Sequence, residues 1–274
     1  MKRLLFGTLG LAVLATACQP ATSANAPAAD ARLAAAAAAA TVTPALTADS
    51  TAAVLALTRQ VNLAPAWQGN REMAMEGFFG ADNYRMSFHI DSVWRDATQP
   101  NVYQFRGRDR YKRVITPFTG TLTATRLAPL PDTVGMFHPG GERAYSAFAS
   151  FVLREDPTTR GAGHCTGRAV LDFQVNDHNQ ATEATFMGIW MGEKNPTQAC
   201  GQVFRGTWQD NRTGRQQPVA WANYYGVIVP DVLRKMGLGS RSEEIDPGLA
   251  RYGWNTILEN DEWWAASPKP KLTL

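Results

Sequence analysis

Hydrophobic and polar residues alternate along the middle of the chain with the period of two that is typical of strands with one buried face. The clearest run has an apolar face made of Tyr84, Met86, Phe88, Ile90 and Trp94, and a polar face made of Arg85, Ser87, His89, Asp91 and Arg95. Residues 168–175 alternate in the same way, and less regular runs occur at 102–114, 117–127, 145–154, 182–191, 203–209 and 218–229. The pattern predicts a mainly β fold, an antiparallel meander of about eight or nine strands.

Several of these runs place a bulky residue two positions before a glycine: Met75 and Gly77, Phe105 and Gly107, Phe118 and Gly120, Phe204 and Gly206. Glycine inside a strand marks a place where the strand bends sharply, as the corners of a barrel require. The segment 204–208, Phe-Arg-Gly-Thr-Trp, resembles the glycine-x-tryptophan strands of calycin-type barrels. The resemblance implies that the meander closes into a calycin-like barrel, and it assigns no ligand residues.

Helical signals flank the strands. Residues 47–61 have the spacing of a short amphipathic helix. After the strands, Pro230 and Gly237 bracket a second short helix, and residues 246–247 can start another. We therefore expect a short N-terminal helix and a C-terminal helical extension from about residue 230.

The first residues have the features of a secretory signal. Lys2 and Arg3 are cationic, residues 4–14 are apolar, and residues 15–17 are small and directly precede Cys18. This arrangement, Ala15-Thr16-Ala17-Cys18, resembles the lipobox of bacterial lipoproteins, although Ala15 stands where that family prefers leucine. The resemblance implies that Cys18 becomes the first mature residue and carries acyl chains, and that the following glutamine is compatible with sorting to the outer membrane. The alternative is an ordinary cleavage site that leaves Cys18 as a free thiol.

Residues 19–45 contain 14 Ala and almost no charge. Such a stretch has too few large apolar groups to offset the entropy of ordering, so it predicts a flexible spacer. The chain is therefore expected to divide into a signal peptide at 1–17, a lipid-anchored linker rich in Ala, Pro and Thr at 18–45, and a single β-rich domain at 46–274.

The charge balance argues against one class of partner. The formal charge is +3, but removal of the signal with Lys2 and Arg3 leaves 25 of the 27 cations against 24 anions. A balance this close argues against nucleic acid as a partner. No apolar run reaches the roughly 20 residues of a membrane-spanning helix, so contact with the membrane is expected through the lipid.

Three cysteines leave one thiol over in an exported protein unless lipidation consumes Cys18. Cys165 and Cys200 are then expected to meet at one end of the sheet and form a structural disulfide. A redox pair is the alternative, but the sequence has no Cys-x-x-Cys spacing.

Four cations alternate along one predicted strand: Arg106, Arg108, Arg110 and Lys112. Alternate side chains of a strand point to the same face, so these residues form what we call the cationic ladder. It is a candidate anion-binding surface for an acidic glycan, a phosphate-bearing lipid or a carboxylate ligand. The alternative is a solvated face, or an edge strand charged against aggregation.

Aromatic residues fall on or near the apolar faces of several strands. If the barrel closes, they meet inside it and either fill the core or line a pocket for a small apolar or aromatic ligand. The candidate ligand-binding residues are Trp94, Trp190, Trp208, Trp221, Asn223 and Tyr225, with Asp172 as a further polar contact.

The sequence lacks a nucleophile elbow, a zinc-protease helix and a phosphate-binding glycine loop. Its four histidines have no metal-ligand spacing, so neither a metal nor a cofactor is predicted. We therefore expect an exported, lipid-anchored cell-envelope protein of the outer membrane that acts as a non-catalytic binding or structural module. One alternative is a glycan hydrolase with a carboxylate pair drawn from Glu155, Asp156, Asp172 and Asp210. Another is an envelope assembly partner that uses the cationic ladder.

Overall fold

The computed structural model describes residues 48–130, 143–185, 196–239, 246–259 and 261–265. Two helices come first, α1 at Ala48–Gln60 and α2 at Ala64–Gln68. Nine strands follow: β1 Met75–Phe79, β2 Tyr84–Arg95, β3 Val102–Tyr111, β4 Val114–Pro129, β5 Arg143–Glu155, β6 Gly163–Val175, β7 Ala181–Glu183, β8 Gln202–Asp210 and β9 Gln216–Ala222. The predicted mainly β fold is confirmed.

The strands form one antiparallel sheet in the order β5-β4-β3-β2-β1-β9-β8-β6-β7, and an additional pairing of β5 with β6 closes eight of them into a barrel-like ring. Strand β7 has only three residues and pairs with the last residues of β6, beyond the end of β8. The meander therefore closes as predicted, with β6 paired directly to β8.

Antiparallel connections give the ring two different ends. The hairpin end carries the turns at 80–83, 112–113, 156–162 and 211–215. Lys112 and Arg113 form the tight turn between β3 and β4 with φ of 48° and 73°, the two left-handed positions that such hairpins need. The predicted strand 102–114 is therefore two strands, and Lys112 lies in the turn.

The repeated bulky-x-glycine pattern has a packing explanation. Strands β3 and β4 pair so that Phe105 lies opposite Gly120 and Gly107 lies opposite Phe118. A Cβ on Gly107 would come within 2.6 Å of the Phe118 ring, and one on Gly120 within 2.3 Å of the Phe105 ring. Each glycine thus makes room for the aromatic ring of the neighbouring strand.

Aromatic side chains fill the interior of the closed ring of strands. Trp221 of β9 stacks on Phe88 with centroids 4.0 Å apart and on Phe204 with centroids 4.8 Å apart. Phe151 contacts the edge of the same indole at 5.3 Å. These side chains are almost fully buried, so the centre is a packed core.

Helix α2 closes the opposite end, which we call the helix end. Its Trp67 is fully buried and its Gln68 reaches into β2. The Gln68 side chain donates to the Ile90 carbonyl at 2.7 Å and accepts from the Val93 amide at 3.0 Å. These bonds satisfy the backbone at a β-bulge between Ile90 and Ser92.

The C-terminal residues form a second layer on the outer face of β1, β8 and β9. Helix α3 spans Asp231–Arg234, and 3₁₀ helices span Tyr225–Ile228 and Pro247–Tyr252. Leu233, Leu249 and Trp254 pack there against Phe78 and Val203. The predicted C-terminal helical extension is confirmed.

Candidate functional site

The predicted aromatic pocket residues are not brought together. Trp208 and Trp221 point into the ring, but Trp94 is 47% exposed on the outer surface. The bulge in β2 shifts the alternation by one residue, so Val93 packs against the core and Trp94 turns outward. Trp190 lies outside the described residues.

The other two members of the predicted pocket lie outside the ring. Tyr225 packs in the outer layer against Trp254, with ring centroids 5.0 Å apart. Asn223 follows the end of β9 and its side-chain amide donates to Glu183. Trp94, Asn223 and Tyr225 therefore do not meet Trp208 and Trp221 inside the ring, because the bulge in β2 breaks the alternation and the chain after β9 runs outside the ring.

Two carboxyl groups instead lie inside the ring near the hairpin end. Asp109 of β3 and Glu155 of β5 are only 2% and 6% exposed, and we call them the interior acid pair. Glu155 Oε1 accepts from the Trp208 indole N–H at 3.0 Å, and Oε2 accepts from the Gly163 amide at 2.6 Å. Among the described residues, Asp109 Oδ2 has no hydrogen-bond partner.

The position of Asp109 follows from the period of its strand. It shares the inward face of β3 with Phe105 and Tyr111, and it pairs with Phe88 in β2 and Thr116 in β4. The acids predicted from the sequence include Glu155 but not Asp109. Asp109 lies between two arginines of the cationic ladder, which face the opposite side of the strand. The alternation that identified the ladder also places the intervening aspartate inside.

Burial raises the pKa of both members of the interior acid pair. For Asp109 desolvation is the main cause, followed by the charge of Glu155, and its pKa lies well above the usual range. Desolvation also raises the pKa of Glu155, but the bonds from Gly163 and Trp208 oppose that rise. The two donors therefore favour the charged form of Glu155 over that of Asp109, whose Oδ2 has no partner among the described residues.

A second acidic cluster lies on the outer face at the helix end. Asp172 is fully buried there and accepts from the hydroxyls of Ser146, at 2.6 Å, and Thr197. Desolvation raises the pKa of Asp172, and that of the neighbouring Glu183 to about 7. Asp172 therefore does not line the interior as predicted, because β6 directs it outward beneath residues 196–201.

The cationic ladder is partly neutralised within the chain. Arg108 pairs with Asp91 at 2.7 Å, and Arg110 pairs with Asp261 while its guanidinium lies 5.1 Å from the Trp263 ring centroid. Arg106 donates to Ser92 Oγ at 2.9 Å and stays exposed. The Lys112 ammonium lies in the turn, over the rings of Tyr84 and Tyr111.

Residues 261–265 of the same chain therefore cover part of the face that carries the cationic ladder. Besides the contacts of Asp261 and Trp263 with Arg110, the Trp264 ring stacks on His89 with centroids 5.5 Å apart. Arg108, Arg110 and Lys112 of the predicted anion-binding ladder therefore each have a partner within the chain, and Arg106 is the member that stays exposed.

The predicted disulfide between Cys165 and Cys200 is absent, and both thiols are free and buried. Cys165 lies opposite Trp208 and points into the ring, whereas Cys200 precedes β8 and packs in the outer layer. Because Gln202 pairs with Leu171, about 20 Å of strand separates the two cysteines along β6. The prediction assumed a full strand between β6 and β8, which β7 is not.

A shallow groove at the helix end is lined by Arg59, Asn62, Arg95, Asp96, Ala97 and Pro100. The Arg95 guanidinium donates to the Thr58 carbonyl at 2.8 Å, so this groove is tied to helix α1. It lies at the opposite end from the interior acid pair.

Comparisons of the chain with known protein families, with curated proteins and with solved structures find no match. Among the described residues, none of the helices has the length and hydropathy to cross a bilayer. The same residues contain no cluster of three His, Cys, Asp or Glu side chains placed to hold a metal ion.

Proposed function

We propose that this chain is an exported, lipid-anchored protein of the cell envelope, at the outer membrane, whose ring is a non-catalytic binding module that contacts its ligand on the outer wall. The proposal of export and anchoring rests on the lipobox-like residues 15–18. Cys18 lies outside the described residues, so this part stands on the sequence.

The observation that favours binding on the outer wall is the filled interior. The stack of Phe88, Trp221 and Phe204 occupies the space that a ligand would need inside a small barrel. Outward-facing groups remain available, among them the exposed Trp94 and Arg106. A ligand is therefore expected to bind without entering the ring.

The hydrolase alternative has less support. A glycosidase needs two carboxyl groups that both reach the sugar. Asp109 and Glu155 form a close pair, but they are 2% and 6% exposed, and Trp208 and the Gly163 backbone cover Glu155. Asp172 is equally inaccessible beneath Thr197.

A protein-assembly role has one specific observation in its favour. Strands β2 and β3 pair Ser92 with Arg106 and Trp94 with Gln104, so an exposed indole and an exposed guanidinium lie diagonally adjacent on one face. Tryptophan and arginine are enriched at the centres of protein interfaces. This face is the second candidate contact.

The anchor is tested by fractionating cells of the native host. The variant Cys18→Ala is expected to move from the membrane fraction into the soluble fraction, whereas Cys200→Ser keeps the anchor and should remain in the membrane fraction. Continued membrane association of Cys18→Ala would overturn the anchored part of the proposal.

Outer-wall binding is tested by native mass spectrometry of the protein extracted from its own host. A ligand on the wall should dissociate at activation energies below those that unfold the protein. A small molecule that is released only on unfolding would instead indicate an internal site and contradict the proposal.

A further inference from the structure

The outer wall formed by β5, β6 and β8 has no acidic side chain over its matched stretch. Strand register aligns residues 148–154, 164–170 and 203–209. We call this stretch the acid-free wall, and its outward-facing polar residues include Ser150, Arg154, Thr166, Arg168, Arg205 and Thr207. On the opposite wall, by contrast, Arg85, Arg108 and Arg110 each pair with a carboxylate.

Two arginines face each other at the middle of the acid-free wall. Arg168 of β6 pairs directly with Arg205 of β8, which places their Cβ atoms about 5 Å apart. Like charges directly opposite each other destabilise a sheet. Neither guanidinium forms an ion pair with a residue in the part of the chain that the structure describes.

Hydroxyl groups surround this arginine pair. Ser150 lies opposite Arg168 on the β5 side, and Thr166 lies opposite Thr207 in the next outward pair. Ser150 and Thr166 are exposed, so both can donate to a ligand in solution. The wall therefore presents two planar cations and three hydroxyls within one patch.

The Arg205 guanidinium is also partly desolvated. Burial by neighbouring protein lowers the pKa of its guanidinium even though part of the side chain is exposed, and no described carboxylate offsets the loss of water. A bound anion would both replace that lost solvation and screen the repulsion between the two arginines.

We propose that Arg168 and Arg205, with Ser150, Thr166 and Thr207, form a binding site for a phosphate group. A guanidinium matches two phosphate oxygens in a bidentate arrangement, and a phosphate dianion neutralises two of them at once. The assignment deepens the proposed recognition on the outer wall and rests on it, and it names the chemical class of the ligand. The phosphate group belongs either to a soluble molecule or to a lipid headgroup.

The test uses the full chain carrying Cys18→Ala, so that the anchor plays no part. Inorganic phosphate is titrated against thermal unfolding and by calorimetry, with chloride at equal ionic strength as the salt control. Phosphate should raise the unfolding temperature in a saturable way. Arg168→Gln and Arg205→Gln should each weaken phosphate binding about tenfold or more, as the loss of a charged hydrogen bond implies.

Two comparisons separate this result from damage to the fold or from general charge. Without phosphate, Arg205→Gln should unfold at the same or a higher temperature than its parent, because repulsion is relieved. The matched control Arg160→Gln removes an exposed arginine from the neighbouring turn and should bind phosphate like the parent. Arginine variants that bind phosphate like the parent would overturn the site, and so would phosphate that acts no differently from chloride when the vesicles described next also fail to bind.

Vesicle flotation with the same variants identifies the source of the phosphate group. Arginine-dependent binding to phosphatidylcholine vesicles that contain phosphatidic acid, but not to pure phosphatidylcholine, assigns the site to a lipid headgroup. Binding of inorganic phosphate without flotation assigns it to a soluble ligand. Failure of both arms overturns the phosphate site, while fractionation of Cys18→Ala and native mass spectrometry still report on anchoring and wall binding separately.

Discussion

The Trp208 indole N–H donates to Glu155 Oε1 at 3.0 Å inside the ring. This bond joins β8 to β5 across the interior, and it holds a carboxylate beside the buried Asp109. A charge at such depth is tolerated only when donors satisfy it, and the Gly163 amide supplies the second one. The hairpin end of the ring therefore depends on a polar contact as well as on aromatic packing.

Replacement of Trp208 by phenylalanine removes this donor and keeps an aromatic ring. We expect Trp208→Phe to lower the free energy of unfolding by about 2–4 kcal/mol, from the lost bond to a charged group and the smaller ring. The loss should be larger at about pH 8 than at about pH 4, because the indole N–H stabilises the charged form of Glu155 more than the neutral form.

Urea unfolding at both pH values measures the effect. Trp221→Phe is the matched control, since Trp221 stacks on Phe88 in the aromatic core. The free energy of unfolding that this variant loses should not vary with pH. If Trp208→Phe lowers the free energy of unfolding equally at the two pH values, the indole does not stabilise the charged form of Glu155.

The raised pKa of Asp109 makes folding depend on pH. Because the folded state holds the proton more tightly than the unfolded chain, the stability that this group contributes is complete below the unfolded pKa and is lost as the pH rises through the folded pKa. Asp109→Asn cannot lose a proton, so it should be more stable than the parent by about 1 kcal/mol or more at about pH 8.

Thermal unfolding from acidic to alkaline pH tests this prediction. The control Asp177→Asn changes an exposed aspartate in a turn and should follow the parent curve. An Asp109→Asn variant that is less stable than the parent at alkaline pH would mean that the ionised carboxylate is needed inside the ring.

Glu183 should produce a separate pH dependence nearer neutrality. Desolvation raises its pKa from the ordinary value of 4.5 to about 7, which corresponds to about 3 kcal/mol. The stability that Glu183 contributes is fully present below about pH 4.5 and is lost as the pH rises to about 7. Glu183→Gln keeps an acceptor for the Asn223 amide and should flatten this part of the curve. The exposed Glu72→Gln is the control, and an unchanged slope in Glu183→Gln would refute the assignment.

The two cysteines of the folded domain should behave as buried thiols. Burial raises the pKa of Cys200 to about 12 and that of Cys165 well above its usual value, so little reactive thiolate forms at neutral pH. In a Cys18→Ala background, a maleimide should label neither thiol in the native protein and both in urea. Intact mass should not change on reduction, whereas a gain of about 2 Da would show that the disulfide exists after all.

Most of the strands, and the inward faces of most of them, could be predicted from the sequence alone. Alternation with a period of two is a local property of the extended backbone. The inward position of Phe88 and the outward position of Arg106 could therefore be predicted without knowledge of the neighbouring strands. The bulky-x-glycine pattern predicted strand corners, but only the register shows what these glycines do, which is to leave room for rings such as that of Phe105 over Gly120.

The place where the alternation breaks, and the distant groups that come together, depend on contacts between separate segments of the chain. Trp94 faces solvent because Gln68 stabilises a bulge in β2, and local sequence does not encode that contact. Pairing of Asp109 with Glu155, and of Arg168 with Arg205, depends on strand order and register around the closed ring. Burial and charge compensation at these positions are set by neighbours far away in sequence, which is why neither pair could be predicted from the sequence.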